Sequence, residues 1–253
     1  MLTVQLIIIL VPIAFLASIA LQRQANFFRF LISTLAFSLG ITLVWVIMPW
    51  DVVSVYWRMA MPLLLLLAII IGYRRIGTAK IEMPRWQVVM NLVINLALIG
   101  FFGLINMGAI AGYMVPTDTI ELASPLPEGR FVVGQGGGGP FLNGHSRVAP
   151  QNHALDILGI NAFGARFKPF ADRSDLRNYA IFGASIHAPC AGEVLVSHDG
   201  LEELTPGQTD RENLAGNYVV IACHGVEVVL AHMQKDSVLV SPGQQVSIGD
   251  PLG

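Results

Sequence analysis

Four apolar stretches constrain this chain more than any other feature: Leu2–Leu21, Phe30–Trp50, about Val52–Tyr73, and Trp86–Met114. A helix needs roughly 20 mostly apolar residues to cross the hydrocarbon core of a bilayer. The first, second and fourth stretches meet that length. The third is interrupted by Arg58, and its clean run Met59–Tyr73 is short. Arg58 sits near the helix end, from where a guanidinium can snorkel to the interface. None of the four runs has the polar stripe of a helix half-buried in a soluble protein. The pattern therefore predicts a multi-span membrane segment over residues 1–114.

The first run has no basic residue before it and no small-residue cleavage site ahead of Gln22-Arg23, so it reads as a retained span and not a secretory signal. Arg23 and Arg29 lie between spans one and two; Arg74, Arg75, Lys80 and Arg85 lie between spans three and four. With four spans, the positive-inside bias puts both loops in the cytoplasm and both termini outside it. Trp50, Trp57, Tyr73, Trp86 and Tyr113 fall near span ends, as an interfacial aromatic belt requires. Asn91, Asn95 and Asn106 lie on the fourth span and are expected to hydrogen-bond a neighbouring helix. No acidic residue falls at mid-membrane depth, so the segment reads as an anchor and not as an ion pathway.

The composition changes near Met114. Residues 1–114 hold seven basic and two acidic side chains, a net charge of +5; residues 115–253 hold eight and fifteen, a net of −7. An acidic second half repels phosphate, which argues against nucleic acid as a partner. Short runs bounded by Gly, Pro and Asn follow from Thr119 onward. Candidate strands are Phe131–Gly134, Ala154–Leu158, Gly192–Ser197, Tyr218–Cys223, Glu227–His232 and Ser237–Val240. Residues 159–180 and 199–216 read as charged surface loops. The expected architecture is about four transmembrane helices followed by one all-β, mainly antiparallel domain over residues 115–253. The string Gly134-Gln-Gly-Gly-Gly-Gly139 matches a dinucleotide fingerprint in letters only, because Pro140 stands where the phosphate-binding helix would begin.

All six histidines fall in the second half. His153 lies three residues before Asp156, and His145 eleven before it, in Asn143-Gly144-His145. Imidazole plus carboxylate is a zinc-type donor set, and a catalytic zinc takes three protein ligands with one open position. His232 ends a candidate strand. His187, His198 and His224 have no partner at ligand spacing. Cys190 and Cys223 are the only cysteines, and each sits in or beside a candidate strand. In an oxidising compartment they favour a disulfide; two buried thiols are the alternative.

One order of motifs runs through this half: Gln135-Gly-Gly, Asn143-Gly-His145, Gln151-Asn-His-Ala-Leu-Asp156, Ala188-Pro-Cys-Ala-Gly-Glu-Val194, Gly216-Asn-Tyr-Val-Val-Ile221, Leu230-Ala-His-Met233 and Pro242-Gly-Gln-Gln-Val-Ser-Ile-Gly-Asp250. It resembles the lysostaphin-type (LytM-type) zinc endopeptidases over roughly residues 120–253. The resemblance implies a compact antiparallel β fold that carries zinc in a groove and cleaves peptide cross-links of bacterial peptidoglycan. It implies Asp156 and either His145 or His153 as metal ligands. The family's usual ligand position, four residues before the Asp, is Asn152 here; a branch that uses an upstream Asn-x-His favours His145. His232 matches a histidine that activates water or stabilises the oxyanion. Zinc would lower the pKa of its bound water toward ~7 and polarise the scissile carbonyl, while a histidine beside it shuttles the proton to the leaving amine.

The family's final His-x-His, which supplies the third ligand, has no counterpart in the 253 residues, and the run ending at Gly253 reads as an incomplete fold. Two functions are therefore expected as alternatives. One is a zinc metallopeptidase anchored in the bacterial inner membrane, with its β domain on the periplasmic side. The other is a catalytically incomplete relative that binds peptidoglycan or a cell-envelope protein and regulates wall hydrolases.

Overall fold

The computed structural model describes residues 2–77, 83–114 and 117–253. Lys80, counted above among the loop cations, lies outside the described residues. The chain forms two compact units. The first comprises residues 1–115, 133–157 and 163–165; the second comprises 116–132, 158–162 and 166–253.

Four helices dominate the first unit: α1 (Leu2–Leu21), α2 (Phe27–Ile47), α3 (Val55–Tyr73) and α4 (Arg85–Ala111). All four are long and apolar enough to cross a membrane. Local chemistry sets their ends. The Asn26 side chain accepts the Arg29 N–H at 3.0 Å, so α2 starts three residues earlier than its apolar run suggests. It stops at Ile47 because Met48 precedes Pro49 and is held extended. Residues 50–52 form a separate 3₁₀ turn, and Ser54 caps α3 by accepting the Tyr56 N–H.

The third span is thus a continuous 19-residue helix despite Arg58. The Arg58 guanidinium lies 4.6 Å from the centre of the Trp45 ring on α2, a cation–π contact that gives this charge a partner within the bundle. Trp57, Tyr73, Trp86 and Tyr113 do lie at helix ends. Trp50 departs from the expected belt: it is buried and donates from its indole to the Trp45 carbonyl. Among the three asparagines, Asn106 reaches a neighbouring helix, donating to Leu39 O at 2.9 Å. Asn91 and Asn95 donate instead to Gln87 and Asn91 carbonyls on their own helix. At Gly72, α3 approaches α1 so closely that an added Cβ would lie 2.4 Å from the Ile19 carbonyl oxygen. That contact lets Ile19, Ile41 and Ala68 close into one buried cluster.

The second unit is built on a four-stranded sheet in the order β5-β4-β3-β6, comprising β3 (Gly192–His198), β4 (Asn217–Cys223), β5 (Val226–Met233) and β6 (Gln245–Val246), all in antiparallel pairs. Val194, Val219, Ile221, Cys223, Met233, Val246 and Leu252 form its core. Each such apolar side chain contributes on the order of 1.5–3 kcal/mol by leaving water. His224 and Gly225, both at positive φ, make the two-residue turn between β4 and β5. Cys190 and Cys223 form a disulfide inside this core. A separate two-stranded sheet pairs β1 (Phe131–Gln135) with β2 (Asp156–Gly159). Among the described residues after Met114, the only helical pieces are 3₁₀ turns of three or four residues.

Two strand expectations need correction. β2 starts at Asp156 and not at Ala154, because Ala154 closes a turn onto Gln151 O and gives its own carbonyl to a side chain. Residues 237–240 form no strand. The Asp199 carboxylate accepts the Asp236 and Val238 N–H groups at 2.9 and 3.0 Å, taking backbone donors that a ladder would need; the edge strand is β6 instead.

Burial pushes the Asp199 carboxyl up, but hydrogen bonds from Gly200, Val238 and Asp236 outweigh it, and its pKa lies below the ordinary 3.8. The sign follows directly. A carboxyl depressed in the fold stabilises the fold above its unfolded pKa, and that contribution disappears as pH falls through the folded value. Asp199→Asn is therefore expected to speed amide exchange at Asp236 and Val238 at neutral pH. The difference from wild type should begin to shrink near 3.8 and vanish only once pH has fallen through the lower folded-state value. A difference that persists unchanged in acid would contradict this account.

Candidate functional site

The segment between β1 and β2 holds the first group of expected site residues. Asn143 is its anchor. It is buried, donates from Nδ2 to Gly137 O at 3.2 Å and to Ala154 O at 3.1 Å, and accepts the His145 N–H on Oδ1 at 3.0 Å. The Gln135 side chain accepts the Gly144 N–H at 2.8 Å. These bonds fix the 3₁₀ turn Gly144–Arg147 and with it the direction of the His145 side chain. The glycine run before it is a loop whose Gly138 N–H donates to Gly112 O at the end of α4. The next helical piece after that run is the short 3₁₀ turn Gly144–Arg147, and the Gly136 N–H donates to Leu142 O.

His145 Nε2 lies 3.1 Å from Asp156 Oδ1, and His145 Nδ1 lies 3.1 Å from Gln151 Oε1. The His145 and Asp156 side chains are 30% and 47% exposed, so the pair is open to solvent. An ionised Asp only accepts, so the form of His145 protonated on Nε2 is the one that donates to Asp156, and the role of each ring nitrogen depends on the tautomer. A metal bound by both groups would replace a proton on Nε2: two ligand atoms about 2.1 Å from a tetrahedral zinc are roughly 3.4 Å apart, against 3.1 Å here. His153, the alternative ligand, is exposed in the turn before β2, and the bond to Asp156 comes from His145.

The pair alone does not complete a zinc site. Among the described residues, no three His, Cys, Asp or Glu side chains lie together as a metal-binding group. The donor atoms fit zinc in kind and spacing, but not in number.

His232 belongs to the second unit, whereas His145 and Asp156 belong to the first. Its backbone is at φ 61, in a bulge where Ala231 and His232 of β5 face Tyr218 of β4. A bulge re-aims a side chain out of the pleat and is enriched beside active sites. The His232 N–H donates to Ala215 O at 2.9 Å. Its ring stands beside Gly216, at the edge of a cleft of about 400 Å³ that also involves Leu201, Glu203, Asp210 and Leu214. Buried Asn217 forms the floor, exchanging hydrogen bonds with the Leu201 backbone and donating to Met233 O.

Of the remaining histidines, two have partners in the fold and the third lies in a turn. His187 Nδ1 is 2.7 Å from Gly249 O, His198 stacks on Tyr218, and His224 sits in the β4–β5 turn. Sequence reasoning missed Asn143, Gln151 and Gln135 as supports of the pair. Asn143 was legible as the first residue of Asn-Gly-His, a pattern suited to a side chain capping its own downstream amide.

Set against protein-family models, characterised proteins and solved structures, the chain matches none.

Proposed function

We propose that the protein is a membrane-anchored zinc metallopeptidase of the lysostaphin type, acting on peptide cross-links of bacterial peptidoglycan. The observation that carries this reading is the His145–Asp156 pair, 3.1 Å apart and held by buried Asn143, at the positions the motif resemblance assigns to metal ligands. His232, strained and exposed at the mouth of a cleft, suits the role of a proton-handling histidine.

Two observations support an extracytoplasmic β domain on the bacterial inner membrane. A buried disulfide suits an oxidising compartment, and the basic residues Arg23, Arg29, Arg74, Arg75 and Arg85 cluster at one set of helix ends. The absence of a three-donor group among the described residues favours a second reading, a non-catalytic binder of peptidoglycan or of a cell-envelope partner.

The test is zinc content of the full-length native protein by elemental analysis, with peptide release from purified peptidoglycan. About one zinc per chain is expected. His145→Ala and Asp156→Ala should each lower retention at least tenfold, the scale of losing one of few ligands, and His153→Ala should leave it unchanged. Protein that lacks zinc and releases no peptide, yet sediments with peptidoglycan, would support the binding reading instead. Failure of both assays would remove both.

A further inference from the structure

The second half of the chain is acidic, but its charge is unevenly spread. Residues 166–177 hold four of the eight basic side chains, Arg166, Lys168, Arg173 and Arg177, and only two of the fifteen acidic ones. The segment is net +2, and the rest of residues 115–253 is net −9. Its two carboxylates are engaged locally. Asp175 is bound by Arg177 at 2.9 Å, and Asp172 accepts from the Ser174 N–H and hydroxyl.

At the tip of this segment stands Phe170, 108% exposed. The turn Lys168-Pro169-Phe170-Ala171 is closed by the Ala171 N–H on the Lys168 carbonyl, and Phe170 has φ 59. Pro at the second position and positive φ at the third is the pattern of a type II turn, where glycine is the ordinary third residue. A phenylalanine there adopts an unfavourable backbone and a fully solvated ring at once, two costs with no return in water. Below the turn the loop is firm. Phe167 is buried against Tyr179, Arg173 lies over the Phe167 ring at 4.4 Å, and the Lys168 N–H donates to Asn178 O. The ring is held outward by a built support.

The same stretch of chain is tied to a helix end. The Ser54 hydroxyl and Val55 N–H, at the head of α3, donate to the carbonyls of Phe163 and Gly164 at 2.8 and 2.9 Å. Phe163 is itself 67% exposed there. Phe170 follows Gly164 by six residues, a length of chain that extends at most about 20 Å.

We propose that residues 166–177 dock on anionic phospholipid headgroups of the bilayer that the chain's own helices enter, with Phe170 as the apolar anchor and Lys168 as the headgroup contact. Aromatic rings favour the membrane interface, and surface cations are drawn to anionic lipid. Tethering on the same chain makes the encounter intramolecular, so a single aromatic anchor and a small net charge are enough. This inference stands apart from the peptidase reading and requires no metal.

The test is hydrogen exchange of the full-length protein in detergent, in nanodiscs of phosphatidylcholine, and in nanodiscs of phosphatidylcholine mixed with phosphatidylglycerol. Amides of residues 166–177 should exchange about fivefold more slowly in the anionic discs, the factor expected from about one surface cation, and high salt should reverse the effect. Phe170→Ser and Lys168→Glu should each abolish it while β4 amides keep wild-type protection, which shows that the sheet remains folded. Equal exchange in both kinds of disc would overturn the proposal. Equal protection in detergent would also overturn it, pointing to a protein contact.

Discussion

A single methyl group added at Gly192 is expected to destabilise the four-stranded sheet by about 3 kcal/mol or more, at or beyond the upper end for overpacked sites. The reason is geometric. A Cβ at Gly192 would fall 2.0 Å from the Ala222 carbonyl oxygen and 3.2 Å from the Ile221 side chain. The first contact is with backbone, which cannot rotate away. β3 would have to separate from β4 where Glu193 pairs with Ala222, and its other edge carries β6 through Gly192 and Val246. Both neighbours of β3 are therefore disturbed by one substitution. Gly192→Ala should raise amide exchange across β3, β4 and β6 while the α1–α4 amides keep their protection. Wild-type exchange in β3 would show that the approach is looser than described.

The second large effect is expected at the disulfide. Cys190 and Cys223 are 33 residues apart, and a loop of that length constrains the unfolded chain by about 3–4 kcal/mol in the chain-entropy model. Both sulfurs lie in the core beside Val194 and Ile221, so their removal also leaves space there. Cys190→Ala together with Cys223→Ala should lower the unfolding free energy of the β domain, read from its denaturation curve, by about that amount, with part of the loss recovered by apolar replacements of larger volume. A double variant as stable as wild type would mean that the bridge contributes nothing.

Much of this architecture was legible from the sequence, for identifiable reasons. Hydrophobic length gave the four helices, including α3, because a single arginine near a helix end does not interrupt a span when a tryptophan such as Trp45 can receive it. Exact helix ends were less legible, since they depend on one capping side chain, Asn26, and on one proline, Pro49. The strands β3, β4 and β5 stood out through Val and Ile between turn residues. Residues 237–240 carry the same composition, yet they form no strand: Asp199, about forty residues away, takes the Val238 N–H, and the Ser237 and Leu239 N–H groups donate to Gln234 O and Leu252 O. No local pattern announces that contact. At the candidate site, spacing alone set both His153 and His145 near Asp156, and the resemblance favoured His145; in the fold His145 Nε2 lies 3.1 Å from Asp156 Oδ1. The resemblance left His153 open, and what separates the two histidines is buried Asn143, whose bonds to Gly137 and Ala154 are visible only in the folded chain.

The hydrogen bonds from Ser54 and Val55 to Phe163 and Gly164 also bear on biosynthesis. Ser54 and Phe163 are 109 positions apart, so the head of α3 is completed by residues that leave the ribosome long after all four helices have been made. Residues 133–157, which belong to the same unit, also emerge after the last helix. Until they arrive, the helical unit exists as an unfinished template. A fragment cut just after α4 would lack these segments, and a fragment starting there would carry them without the helices they pack with.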